Sequence, residues 1–178
     1  MTAPSVKVCG LSTAETVDAA VAAGARYVGF VFFDASPRHV TVEQAAELAA
    51  RVPPGIAKVG LVVAPDNAQL DAIAAIVPLD MIQVHKVHES ARLAEIGAHV
   101  DAALRFTEPA EIILFDAKPA QDATLPGGNG VAFDWRLLST RRIPKPWMLA
   151  GGLTPDNVAQ AVALTGAKHV DVSSGVES

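Results

Sequence analysis

"VKVCGLSTAETVDAAVAAG" (residues 6–24) decides the fold. Val6 to Leu11 form a near-continuous apolar run, the pattern of a strand buried on both faces. Ser12, read as an N-cap with Glu15 three residues later, then opens an amphipathic stretch that Gly24 stops. A buried strand feeding directly into such a helix is one β/α unit.

The same grammar repeats along the chain. Strands are expected over Tyr27 to Phe33, Ala57 to Val63, Met81 to Lys86, Glu111 to Ala117, Pro146 to Gly152 and His169 to Gly175. Between them lie helical patterns: "TVEQAAELAARV" capped by Thr41, "DNAQLDAIAAIV", Glu89 to Ile96, Phe133 to Leu138 and Pro155 to Leu164. Up to eight strands favour a closed barrel over an open doubly wound sheet, and no G-x-G-x-x-G follows the first strand. The expected fold is α/β: a (β/α)8 TIM barrel forming a single domain over residues 1–178.

Two places depart from a complete barrel. "HVDAALRF" (residues 99–106) is the candidate fifth strand, yet only "TEPA" separates it from the next apolar run. Parallel neighbours need a crossover of roughly a dozen residues. The barrel is therefore expected to be incomplete around its fifth β/α unit. It is also expected to lack its last helix, since only "VES" follows the final strand.

Composition narrows the function. The net charge is −5 with no basic block, which argues against nucleic acid as a partner. One cysteine, Cys9, excludes an internal disulfide and fits a reducing, cytoplasmic setting. No signal-peptide pattern and no apolar run of about 20 residues is present, so no membrane partner is expected. His39, His85, His88, His99 and His169 have no metal-ligand spacing, and no metal is expected.

In a β/α barrel the chemistry gathers at the C-terminal strand ends. The polar residues there are Cys9, Arg38, Gln83, His85, Asp116, Gly151, Gly152, Asp171, Ser173 and Ser174. "AGGLTPDNV" and "DVSSGV", which includes Gly175, read as backbone cradles for a phosphate, because glycine admits close approach and serine adds a donor. As plain tight turns they would carry no ligand. Cys9 is either a small core side chain or a reactive thiol. Arg38 is either a solvated loop charge or a fork for a carboxylate. Asp116 ends the apolar "IILF", where burial raises a carboxyl pKa and keeps a proton available; a cap or an ion pair to Lys118 is the plainer reading. "PGGNG" (residues 126–130) is a turn or a mobile lid.

Taken in order, "KVCGL", "GFVFFDASPRHV", "KVGLVV", "MIQVH", "LFDAK", "PGGNGVAFDW", "LAGGLTPDNV" and "VDVSSGVE" resemble the phosphoribosylanthranilate isomerases of tryptophan biosynthesis over nearly the whole chain. The resemblance implies a (β/α)8 fold and an Amadori rearrangement without cofactor. N-(5-phospho-β-D-ribosyl)anthranilate would become 1-(2-carboxyphenylamino)-1-deoxy-D-ribulose 5-phosphate. By that likeness Cys9 is the general base, Asp116 the general acid and Arg38 the holder of the anthranilate carboxylate. Gly151, Gly152, Ser173, Ser174 and Gly175 hold the phosphate, and Gln83, His85 and Asp171 complete the substrate-binding set. The partner is a small molecule, and the protein is a monomer or homodimer. Departures from the family are Lys86, where it usually has glycine, the shortened fifth unit and the ending. The alternatives are another phosphosugar barrel isomerase and a catalytically impaired phosphate-binding or partner-regulating module. A histidine-pathway isomerase predicts aspartate in place of Cys9. An indole-forming barrel needs a catalytic lysine early in the chain, and neither Lys7 nor Lys58 has its expected surroundings.

Overall fold

The computed structural model describes residues 3–104, 112–117, 132–139, 143 and 145–177. It divides into two compact units, Gly10–Ala110 and Met1–Cys9 with Glu111–Ser178. The candidate lid at residues 126–130 lies outside the described residues.

In the smaller unit, β1 (Ser5–Cys9) pairs in parallel with β7 (His169–Val172). Next to β7 comes β6 (Trp147–Leu149), and next to that β5 (Ile113–Phe115), all parallel. Alternation along these strands sorts the side chains onto two faces. One face is apolar. Leu149, Val170 and Val172 join Leu138, Leu153, Ala161 and Ala167 in a buried cluster, with Val6, Val8, Phe115 and Trp147 packed against it. Phe115 and Trp147 meet edge-to-face at 5.7 Å. Two helices, α5 (Arg136–Ser139) and α6 (Val158–Thr165), supply Leu138 and Ala161 to that cluster. The other face of β1 and β7 carries Lys7, Cys9 and Asp171, which is what fits these strands for chemistry.

The larger unit runs β2 (Tyr27–Phe32), β3 (Ala57–Val63) and β4 (Met81–His85), parallel and in sequence order. Val28, Phe30 and Val62 are fully buried. The connecting helices are α1 (Ala14–Ala22), α2 (Val42–Ala49), α3 (Asn67–Ile76) and α4 (Ser90–Leu104). Thr41 caps α2 as expected, through reciprocal bonds with Gln44. For α1 the cap is Thr13, one residue later than expected. Thr13 shares a capping box with Thr16, so Ser12 stays outside the helix and Glu15 falls in the first turn.

The expected fifth strand is corrected. Residues 99–104 continue α4 as helix, and 105–106 lie outside the described residues. The segment "AEIGAHVDAAL" is rich in alanine, the strongest helix former, and carries no β-branched run. The described strands therefore number seven, and none occupies the fifth position of a complete barrel.

Candidate active site

The smaller unit places two of the expected residues, Asp116 and Asp171, in one row across its strands. Lys7 is registered against Asp171 across the β1–β7 ladder. One step beyond the Leu149–Val170 and Phe115–Leu149 pairs, the same row continues through Ala150 to Asp116. Ala150 N donates to Phe115 O at 2.8 Å, which holds this end of β5 and β6 together. Alternation puts Lys7, Asp171, Ala150 and Asp116 on the face opposite the apolar cluster. Cys9 follows two residues after Lys7 on that same face, and its side chain is buried.

Lys7 is 2% exposed, yet its Nζ donates to Asp171 Oδ1 at 2.9 Å, so the charge is paired. Burial by itself pulls the ammonium pKa down. The Asp171 carboxylate, with Cys9 as a second electrostatic and hydrogen-bonding partner, more than reverses this and holds Lys7 protonated. At Asp171 burial raises the carboxyl pKa, and Lys7 opposes that rise without cancelling it. Asp116 is lifted above the ordinary carboxyl value, chiefly by burial and further by the Asp171 charge. The N–H of Ala117, donating to Asp116 Oδ1 at 2.7 Å, and the charge of Lys7 oppose that rise without cancelling it. The expected elevation of Asp116 is thus present, and burial is its main cause.

The two glycine loops touch. A Cβ on Gly175 would fall 1.9 Å from Leu153 O, so only glycine lets the Ser173–Gly175 segment lie against the loop after β6. In that loop Gly151 and Gly152 both have positive φ, +88° and +61°. Asn157 braces it from both sides: its Nδ2 donates to Gly152 O at 2.9 Å, and Thr154 N donates to its Oδ1 at 2.9 Å. Sequence reasoning passed over Asn157. Its signal is an asparagine next to the helix start in "LTPDNV". Ser173 and Ser174 are half-buried, with Ser174 opening a 3-10 turn, Ser174–Val176.

The larger unit places the remaining expected residues. Gln83 and His85 share a face of β4, with Nε2 atoms 2.9 Å apart. Arg38, half-buried in the loop after β2, packs its aliphatic stem on Gly10, where a Cβ would come 2.3 Å from Arg38 Cδ. Among the described residues no cluster of three or more His, Cys, Asp or Glu could hold a metal, and no helix is long and apolar enough to cross a membrane.

Residues 6–178 match the family model described as N-(5'phosphoribosyl)anthranilate (PRA) isomerase. The N-(5'-phosphoribosyl)anthranilate isomerase of Paracoccus denitrificans is 58% identical over 192 positions, covering 99% of this chain and 89% of the relative. That of Cereibacter sphaeroides is 50% identical, covering 97% and 89%. Since 178 residues cannot fill 192 positions, the Paracoccus relative carries residues within the matched span that this chain lacks. Among solved structures, the Thermotoga maritima phosphoribosyl anthranilate isomerase superposes with a TM-score of 0.81 at 30% identity, covering 98% of this chain and 90% of its own. Another, solved with reduced 1-(o-carboxyphenylamino)-1-deoxyribulose 5-phosphate, gives 0.73 at 29% identity, covering 98% and 89%. The fold is accordingly a (β/α)8 TIM barrel, incomplete around the fifth unit.

Proposed function

The chain belongs to the N-(5'-phosphoribosyl)anthranilate isomerase family, and we propose that Cys9 and Asp116 are the base and acid of its Amadori isomerisation. The reaction converts phosphoribosylanthranilate to the carboxyphenylamino-deoxyribulose phosphate in tryptophan biosynthesis. The observation that carries the assignment is the elevated Asp116 on the same sheet face as the lone, buried thiol.

The chemistry follows from those positions. Asp116 gives its proton to the furanose ring oxygen. The C1–O bond breaks, and the nitrogen lone pair forms the C1=N iminium. Cys9, as thiolate, removes the proton from C2, and that electron pair becomes the C1=C2 bond of an enolamine. The enol hydroxyl then loses a proton while C1 gains one, leaving the ketone at C2. Atoms and electrons balance within the substrate, so the sequence of steps calls for no oxidant.

For binding, the Gly151–Gly152 and Ser173–Gly175 loops take the phosphate. Their enforced contact through Gly175 and Leu153 supports this, since it sets the two glycine loops side by side. Arg38 takes the anthranilate carboxylate, a role supported by a stem held against Gly10. Gln83 and His85 act as a hydrogen-bonded pair toward the substrate. Asp171 enters through Lys7 rather than from an exposed rim. A monomer or a homodimer is compatible with this assignment.

The test is turnover, followed as loss of the fluorescence of the anthranilate adduct. Cys9→Ser should lower kcat by roughly 10²–10⁴-fold and leave the inhibition constant of a reduced product analogue nearly unchanged. A serine variant retaining more than about a tenth of wild-type kcat removes Cys9 from the base role. Wild-type protein that binds the analogue without turnover would favour the impaired phosphate-binding module.

A further inference from the structure

We propose that the buried Lys7–Asp171 ion pair sets the charge states of the catalytic groups, its ammonium end stabilising the Cys9 thiolate and its carboxylate end keeping the proton on Asp116. The inference rests on the base and acid roles proposed above. It answers a difficulty in them: an ordinary thiol is mostly protonated at neutral pH and an ordinary carboxyl mostly ionised, the reverse of what the reaction needs.

The geometry carries the argument. Lys7 and Cys9 alternate onto one face of β1, and Lys7 faces Asp171 at 2.9 Å across the ladder. The row continues through Ala150, whose small side chain puts no bulk between Asp171 and Asp116. A charge pair buried at 3% and 9% side-chain exposure is a costly way to join two strands, and apolar residues of similar size often serve as well or better. Its orientation explains its presence. The positive end lies toward Cys9, and the thiol is among the groups that keep Lys7 charged. The same attraction, read from the other partner, favours the thiolate. The negative end lies toward Asp116 and opposes its ionisation.

The other charged groups on these strands are few. Cys9 and Lys7 come from β1, Asp171 and His169 from β7, and Asp116 from the end of β5. His169 is registered against Ser5, two residues away from Asp171. Trp147–Leu149 of β6 brings none.

Lys7 and Asp171 are thus positioning residues, and their effect can be read on the thiol directly. Cys9 is the sole cysteine, so thiolate absorbance near 240 nm reports it alone once a Cys9→Ser blank removes the single tyrosine. Lys7→Met should move the thiolate midpoint upward by about one pH unit or more, and Lys7→Arg should restore it. Asp171→Asn should shift the alkaline limb of kcat/KM to lower pH, because the charge that opposes Asp116 ionisation is gone. The two readouts together are the signature, because damage to packing would not give a thiol shift that Lys7→Arg reverses and a limb shift of stated sign. If Lys7→Met does not fold, the double variant Lys7→Met/Asp171→Asn leaves no unpaired buried charge, and its midpoint should still lie above wild type. An unmoved midpoint in the Lys7→Met variants, or an unmoved alkaline limb in Asp171→Asn, overturns the proposal. An active Cys9→Ser enzyme overturns the base assignment instead, and the thiol titration distinguishes the two.

Discussion

Gly151 lies so close beneath Asp116 that an added Cβ would stand 3.1 Å from the carboxyl Oδ1 and 2.7 Å from the backbone nitrogen of Ala117. The second distance is to backbone, which cannot swing away as a flexible side chain can. The φ of +88° compounds the strain for any L side chain. Gly151→Ala should therefore displace Asp116 and lower kcat by about ten- to a hundredfold, since small misplacements of a reacting group are costly. Binding of a phosphate ester lacking the aromatic ring should change less. Steady-state kinetics beside the ester's inhibition constant checks this, and equal losses in both would make Gly151 a phosphate residue only.

Much of this site was legible in the sequence because strand ends announce themselves. Cys9 and Asp116 are polar residues closing apolar runs, and parallel alternation of strands and helices puts such ends on one side. Lys7 was equally visible as a charge inside "VKVC", but its meaning was not. Its partner Asp171 is 164 residues away, and only the β1–β7 register brings the two together. The α1 cap was misplaced by one residue because Ser12 and Thr13 are both good caps, and the reciprocal bond from Thr16 decides between them. The fifth strand failed for a different reason. Its apolar content was read as strand, whereas its alanines simply extend the preceding helix to Leu104.

Arg38 offers a test of shape against charge. A lysine retains the cation but not the planar fork that grips a carboxylate with two parallel bonds. Arg38→Lys should weaken a reduced product analogue by about tenfold, the worth of one charge-assisted bond, and leave a plain ribose phosphate nearly unaffected. Gly10→Ala should reproduce the pattern without touching the guanidinium, because its Cβ would collide with the arginine stem. Equal weakening of both ligands by Arg38→Lys would place the residue outside the carboxylate site.

Lys86 is exposed and has φ +56°, left-handed backbone that L residues enter at a cost of roughly 1–2 kcal/mol. Glycine removes that strain but gives the unfolded chain more freedom, which offsets part of the gain. Lys86→Gly should stabilise the protein by about 1 kcal/mol or less, seen as a Tm rise of about 2–4 °C per kcal/mol. Calorimetry on both proteins decides. A fall in Tm would mean that the lysine side chain contributes more than its backbone costs.

Asp116→Asn separates catalysis from stability at one atom. The amide retains an oxygen to accept the Ala117 N–H, so the local hydrogen bond survives. It has no proton to give the ring oxygen, and turnover should fall by roughly 10²–10⁴-fold. Stability should move the other way. Burial raises the folded-state pKa of Asp116 above the ordinary 3.8, so the folded protein holds this proton more tightly than the unfolded chain. The stabilisation from that proton is complete below pH 3.8 and is lost as pH rises through the elevated folded value. Above that window the native enzyme carries an ionised, partly buried carboxylate that asparagine does not. The variant should consequently show a higher Tm than wild type once the pH exceeds that window, with the difference shrinking as the pH drops toward 3.8. In wild type the same ionisation removes the catalytic proton, so kcat/KM should decline on its alkaline side where the stability difference opens. Thermal melts of both proteins across this range, with the wild-type rate profile alongside, test the two consequences together. A Tm difference independent of pH would show that Asp116 keeps its ordinary carboxyl behaviour, and near-normal turnover by the variant would take it out of the chemistry.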